Sequence, residues 1–89
     1  MRQLSLTVHN PQGLHARPAA LFVQAAKGFR AAIRVARNGR EVDAKSILSV
    51  LTLNIGQGAV ITLSANGEDE EAALSALQKL IEAGLGEPG

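Results

Sequence analysis

Asn10-Pro11-Gln12-Gly13-Leu14-His15-Ala16-Arg17-Pro18 lies between two segments of different pattern. Upstream, Gln3 to Val8 alternates polar and apolar residues as a half-buried strand does. Downstream, Pro18 to Lys27 carries apolar residues at helical spacing. The nine residues are therefore a strand-to-helix connection. Asn10-Pro11 and Gly13 supply turn chemistry, and Pro18 is tolerated only in the first turn of a helix, where backbone N–H groups lack partners anyway. His15 then falls at or beside the N-cap.

Open N–H groups and the positive end of the helix dipole make such a position an anion site. A phosphoryl group on His15 would be held there, and Arg17 offers a planar fork of donors matched to phosphate oxygens. A ring nitrogen of His15 supplies the lone pair of a nucleophile. Spacing alone leaves a second reading open, in which His15 is a surface cap and Arg17 a solvated charge.

The chain of 89 residues has room for one small domain, 1–89, burying roughly 60–65% of its unfolded surface. It has no cysteine, which excludes disulfides, thiolate catalysis and a cysteine-based zinc site. His9 and His15 have no ligand spacing, so neither metal nor cofactor is expected. The first residues lack the apolar run of a signal peptide and no segment has the length of a membrane span, so a cytoplasmic protein without membrane insertion is the expectation. A net charge of +1 gives no bulk attraction to nucleic acid or anionic lipid.

In chain order, Leu4, Leu6 and Val8 share one face of the first strand and Gln3, Ser5 and Thr7 the other. Leu14, Pro18, Leu21, Phe22, Ala25 and Phe29 form the expected core stripe of the first helix, with Ala20, Gln24 and Lys27 on a more exposed face. Gly28 is expected to stop that helix through its freedom at positive φ. Ala32 to Arg37 and Arg40 to Asp43 flank Asn38-Gly39, a strong hairpin signal. Arg30, Arg34, Arg37 and Arg40 cluster here without interleaved aromatics, which favours a basic sheet edge over a nucleic-acid patch.

Ser46 to Leu53 is too apolar for a loop and too short for periodicity to separate strand from helix; Ser46 as an N-cap favours a short helix, and Asn54 suits a left-handed C-terminal cap. Not all its apolar side chains fit inward. Ile47, Leu48 and Leu51 either form an exposed patch or complete the core. Val60 to Ala65 is a fourth strand. The acidic run Glu68 to Glu71 then complements the dipole of a helix with Ala73, Leu74, Leu77, Leu80 and Ile81 in phase. Gly84 ends it, and Gly86-Glu87-Pro88-Gly89 is expected to fray. The order βαββαβα describes an α+β domain with three helices on one face of a four-stranded sheet.

Gly13-Leu14-His15-Ala16-Arg17-Pro18-Ala19 resembles the active-site signature of the HPr family, the histidine-containing phosphocarriers of the bacterial phosphoenolpyruvate:sugar phosphotransferase system. Ala44-Lys45-Ser46-Ile47-Leu48 is similar to the family's regulatory serine segment, and the likeness runs essentially the whole length. The resemblance implies an open-faced β-sandwich with an antiparallel sheet. It implies that His15, through Nδ1, takes a phosphoryl group from phosphorylated enzyme I and passes it to sugar-specific acceptor domains. The backbone N–H groups of Ala16 and Arg17 and the Arg17 side chain would surround the phosphate. It further implies a regulatory phosphorylation at Ser46 by a serine kinase, reversed by a phosphatase, and docking on Ala20, Gln24, Lys27, Ile47, Leu48 and Leu51. Family members often carry methionine where Leu48 and Leu51 stand; leucine keeps the patch apolar but less adaptable.

The protein is thus expected to be a phosphoryl-transfer intermediate rather than a free-standing enzyme. The alternative is a regulatory module that acts by binding a transcriptional regulator or enzyme, with Ser46 as its switch. Regulatory relatives without carrier function lack the active histidine, whereas His15 is present. A nitrogen-related phosphocarrier is a close variant.

Overall fold

Alternating side chains build the sheet. In the computed structural model, which describes residues 1–87, β1 (Arg2–Thr7), β2 (Ala32–Arg37), β3 (Arg40–Asp43) and β4 (Val60–Asn66) form one antiparallel sheet of order β1-β4-β2-β3. Its register places Leu4 opposite Leu63, Leu63 opposite Val35, and Val35 opposite Val42, so one apolar row crosses all four strands. The neighbouring row, Ser5, Thr62, Ala36 and Glu41, faces away, as the two-residue side-chain period requires. Ser5 and Thr62 join hydroxyls at 3.3 Å on that open face. Asn38 and Gly39, at φ 53° and 81°, make the tight turn between β2 and β3.

The apolar face is covered by α1 (Ala16–Lys27), α2 (Ile47–Thr52) and α3 (Glu70–Glu82), with α1 packed against both other helices. Phe22, Ile33, Val35, Val50, Ile61, Leu63, Leu77 and Ile81 are fully buried between the layers. This is the open-faced α+β sandwich in the order βαββαβα. Among the described residues no helix is long and apolar enough to cross a membrane.

Three expectations are corrected. The buried face of α1 is Pro18, Ala19, Phe22, Val23 and Ala26, while Leu21 is 39% exposed and Ala25 and Phe29 are only partly covered. Small Ala19 and Ala26 let the helix approach its neighbours, and they displace the larger Leu21 outward. Gly28 does not use positive φ: it caps α1 at φ −73°, its N–H bonded to the Ala25 carbonyl, which a Cβ there would crowd at 3.3 Å.

The end of the chain is the third correction. Beyond the Ala83 cap of α3, Gly84 takes φ 85°. Its N–H bonds the Ile81 carbonyl at 3.0 Å, and the Leu85 N–H bonds the Leu80 carbonyl at 3.0 Å. This Schellman closure turns Leu85 into the core, 1% exposed, where its burial offsets the entropy cost of ordering the tail. Glu87 is held by hydrogen bonds described below. The rest of the tail expected to fray, Pro88 and Gly89, lies outside the described residues.

Asp69 anchors the start of α3 to the loop that leads into β2. It makes no side-chain cap bond; its carboxylate accepts from the N–H groups of Arg30 and Ala31, both at 2.8 Å. The Arg30 N–H, followed by that of Ala31 and the Lys45 charge, holds this carboxyl below its usual range against the opposing effect of burial. Lys45 Nζ donates to the Phe29 carbonyl at 2.7 Å, next to the same loop.

Candidate functional site

The segment before α1 is folded back on itself by local bonds. The Gly13 N–H donates to the Asn10 carbonyl at 3.1 Å, and Asn10 Nδ2 donates to the Gly13 carbonyl at 2.8 Å. The Leu14 N–H reaches the Ile55 carbonyl at 2.9 Å, and Gln57 Nε2 reaches that of His9 at 3.0 Å. The loop is thereby tied to the turn that leads into β4. Leu14 is fully buried and acts as the peg after which His15 emerges.

His15 is the N-cap of α1, at φ −122° and ψ 159°. Its carbonyl accepts from the Ala19 N–H at 3.5 Å, yet its half-buried side chain makes no capping bond. The first-turn N–H groups are thus left without a side-chain acceptor from the cap, and no acidic residue occupies that turn. Ala16 sits at φ 52°, a left-handed conformation that costs an L-residue about 1–2 kcal/mol. Arg17 is exposed, and the four ion pairs among the described residues all lie elsewhere. Imidazole, open N–H groups and guanidinium therefore share one helix end, where an anion is favoured by the dipole as well as by the arginine.

A cleft of about 370 Å³ opens beside this end, lined by Gln12, Ala16, Arg17, Pro18, Leu85, Gly86 and Glu87. Ser46 lies apart from it, as the N-cap of α2, its Oγ accepting from the Ser49 N–H at 3.3 Å. Asn54, at φ 52°, follows α2, and Arg37 donates to the Leu53 and Asn54 carbonyls at 3.1 and 2.7 Å. On α2, Ile47, Leu48 and Leu51 are exposed by 38, 74 and 36% while Val50 is fully buried, which decides for a patch over a completed core. Ala20, Gln24 and Lys27 of α1 and Ile47 of α2 line a shallow groove of about 210 Å³ with Val23. Ala20 follows His15 by five residues, in the second turn of α1.

His9 is exposed two residues beyond β1, and among the described residues only its carbonyl is engaged, by Gln57. Among the described residues no three His, Asp or Glu side chains gather into a group that would hold a metal. Sequence reasoning missed Asn10 as a loop tie and Glu87 as a member of this region. The signal for Glu87 was Gly84-Leu85-Gly86, an apolar residue between two glycines after a helix, which is the pattern of an inward-turned end.

A two-layer α+β sandwich with a histidine at an open helix start defines a small class of proteins, and the comparisons agree with it. The family model for the PTS HPr component phosphorylation site matches residues 3–83. The phosphocarrier protein HPr of Cupriavidus necator is 45% identical over 87 residues, 98% of each chain. The HPr-like protein Crh of Halalkalibacterium halodurans is 50% identical over 70 residues, covering 79% of this chain and 83% of that protein. The crystal structure of HPr-C-His from Thermoanaerobacter tengcongensis superposes with a TM-score of 0.98 at 47% identity, covering 100% of both chains. The chain belongs to the HPr family of phosphocarrier proteins of the phosphotransferase system.

Proposed function

We propose that this protein carries phosphoryl groups on His15, in the cytoplasm, between phosphorylated enzyme I and sugar-specific acceptor domains. One observation carries the reading: a half-exposed imidazole with no capping bond stands at the open N-terminus of a 12-residue helix, with Arg17 two residues on. The lone pair of an imidazole nitrogen, Nδ1 by family resemblance, attacks phosphorus. The P–N bond to the donor histidine breaks and the donor nitrogen keeps its electron pair. The transferred group comes to rest among the N–H groups of Ala16 and Arg17 and the Arg17 fork. Such a reaction needs positioning and charge stabilisation rather than a deep pocket, and the phosphoramidate formed keeps its transfer potential.

Partners dock on the groove between α1 and α2, over Ala20, Gln24, Lys27, Ile47, Leu48 and Leu51, within reach of His15. Ser46 borders that surface and is the regulatory phosphorylation site. Incubation with enzyme I and labelled phosphoenolpyruvate tests the carrier reading: acid-labile, alkali-stable label on the native chain and none on His15→Ala is expected. Full labelling of a folded His15→Ala protein overturns it.

A second reading, regulation through partner binding, is favoured by the exposed patch beside Ser46 and by the likeness to an HPr-like Crh protein. It predicts a complex with a transcriptional regulator that depends on Ser46 phosphorylation and persists in His15→Ala. A nitrogen-related carrier would share the label but not the sugar-specific acceptors.

A further inference from the structure

The tail that follows α3 does not end at the core. After Leu85 is buried, the chain stays left-handed through Leu85 and Gly86, at φ 52° and 79°, and the Glu87 N–H bonds the Gly84 carbonyl at 2.9 Å. This curl carries Gly86 over Leu21, so close that a Cβ would meet Leu21 Cδ1 at 3.1 Å. Glu87 then reaches the loop before His15. Its Oε1 accepts from Asn10 Nδ2 at 2.7 Å and from the Gln12 N–H at 2.9 Å.

Asn10 is the pivot of this contact. It is 2% exposed and both its amide donors are used, one on the Gly13 carbonyl and one on Glu87. Its Oδ1 is buried without a partner, so the amide is committed to donating. The cleft of about 370 Å³ accordingly has the tail, Leu85 to Glu87, as one wall and Ala16-Arg17-Pro18 as the other. Arg17 and Glu87 line the same cleft from opposite sides, so charge added at the helix end shares that cleft with the Glu87 carboxylate.

From this geometry we infer that Glu87 is a latch, sensitive to the state of His15, that holds the C-terminal tail on the phosphorylation loop and is weakened when the site becomes charged. The inference rests on the carrier reading of His15. In the unmodified protein the Glu87 carboxylate is the anion nearest in kind to what the helix end favours, and its two charge-assisted bonds order Asn10 to Gln12. A phosphoryl group on His15 adds charge of the same sign next to Ala16 and Arg17, which form the facing wall, and draws Arg17 toward itself. Repulsion then loosens the tail. Coupling of this kind is reciprocal: whatever phosphorylation takes from the latch, the latch takes from the stability of the phosphorylated form, so it raises the tendency to hand the group on.

Hydrogen exchange of the Gln12 amide reads the latch directly, with the full chain phosphorylated chemically by phosphoramidate so that no partner is needed. Exchange is expected to be at least about fivefold faster in the phosphorylated protein, the lower end of ordinary coupling between sites. Glu87→Gln keeps an acceptor oxygen but no charge, so its Gln12 amide should exchange at the same rate in both forms. With enzyme I and phosphoenolpyruvate, that variant should shift the transfer equilibrium toward the phosphorylated chain by a similar factor. Label on His15 with a Gln12 amide indifferent to it, or with equal acceleration in Glu87→Gln, overturns the latch alone. No label on His15 from either donor overturns the carrier reading, and the latch's sensitivity with it.

Discussion

Gly13 rests on the Ile55 carbonyl: a Cβ built at Gly13 would stand 2.3 Å from that oxygen, which also accepts the Leu14 N–H at 2.9 Å. The contact, with φ at +60°, sets the height at which the chain enters α1. Gly13→Ala has both a backbone clash and a left-handed φ to absorb. It should destabilise the fold by about 2–4 kcal/mol, measured by urea denaturation, and should slow labelling even below the unfolding transition because His15 is moved. Unchanged stability would mean that the loop yields at no cost.

The chemistry of the helix end separates by substitution. Because His15 makes no side-chain cap bond, His15→Ala should abolish labelling while changing stability by less than about 1 kcal/mol. Arg17→Ala should slow transfer roughly 10- to 100-fold, as expected for removing hydrogen bonds to a charged group. Arg17→Lys should recover only part of this, for want of the planar fork. Equal rates for all three Arg17 proteins would reduce Arg17 to a solvated charge. His9→Ala should label normally.

Ser46 is both a cap and a neighbour of the groove. Aspartate caps as well as serine does, so Ser46→Asp should melt like the native protein, whereas Ser46→Ala should lose about 1 kcal/mol. Transfer from enzyme I should show the reverse order: slowed about tenfold or more in Ser46→Asp, where a charge beside Ile47 must be desolvated, and nearly native in Ser46→Ala. Slowing that tracks lost stability instead would remove the case for a docking switch.

Asp69 links stability to pH. Its folded carboxyl titrates below the usual value of 3.8, chiefly because the Arg30 N–H favours the charged form. The stabilisation it contributes is therefore complete above about pH 4 and is lost as the pH falls through the lowered folded value. Glu70, held low first by the Gly67 N–H, adds to the same slope. Asp69→Asn should melt several degrees lower at pH 7, since its amide can accept only one of the two N–H groups and opposes the other. Its melting temperature should also fall less steeply than the native one below pH 4. Parallel acid limbs would show that Asp69 is not the linked group.

What the amino-acid sequence determined by itself is what short-range chemistry can decide. The strand-to-helix junction that makes His15 an N-cap follows from Gly13 and Pro18. The hairpin at Asn38-Gly39 follows from two residues suited to positive φ, and the start of α2 from a serine before an apolar run. The alternation that gives the sheet one wet face is equally local. Which stripe of α1 turned inward was not local: Leu21 and Ala19 both fit a helical period, and only the space left by α2 and α3 chose the smaller residue. The tail was decided the same way. Gly84 announced a stop, but whether the chain beyond it frayed depended on a core vacancy for Leu85 and on Asn10, 77 positions away from Glu87, offering a buried donor. Such contacts exist only after the sheet has brought distant segments together, because their energies depend on burial and on partners that spacing along the chain does not encode.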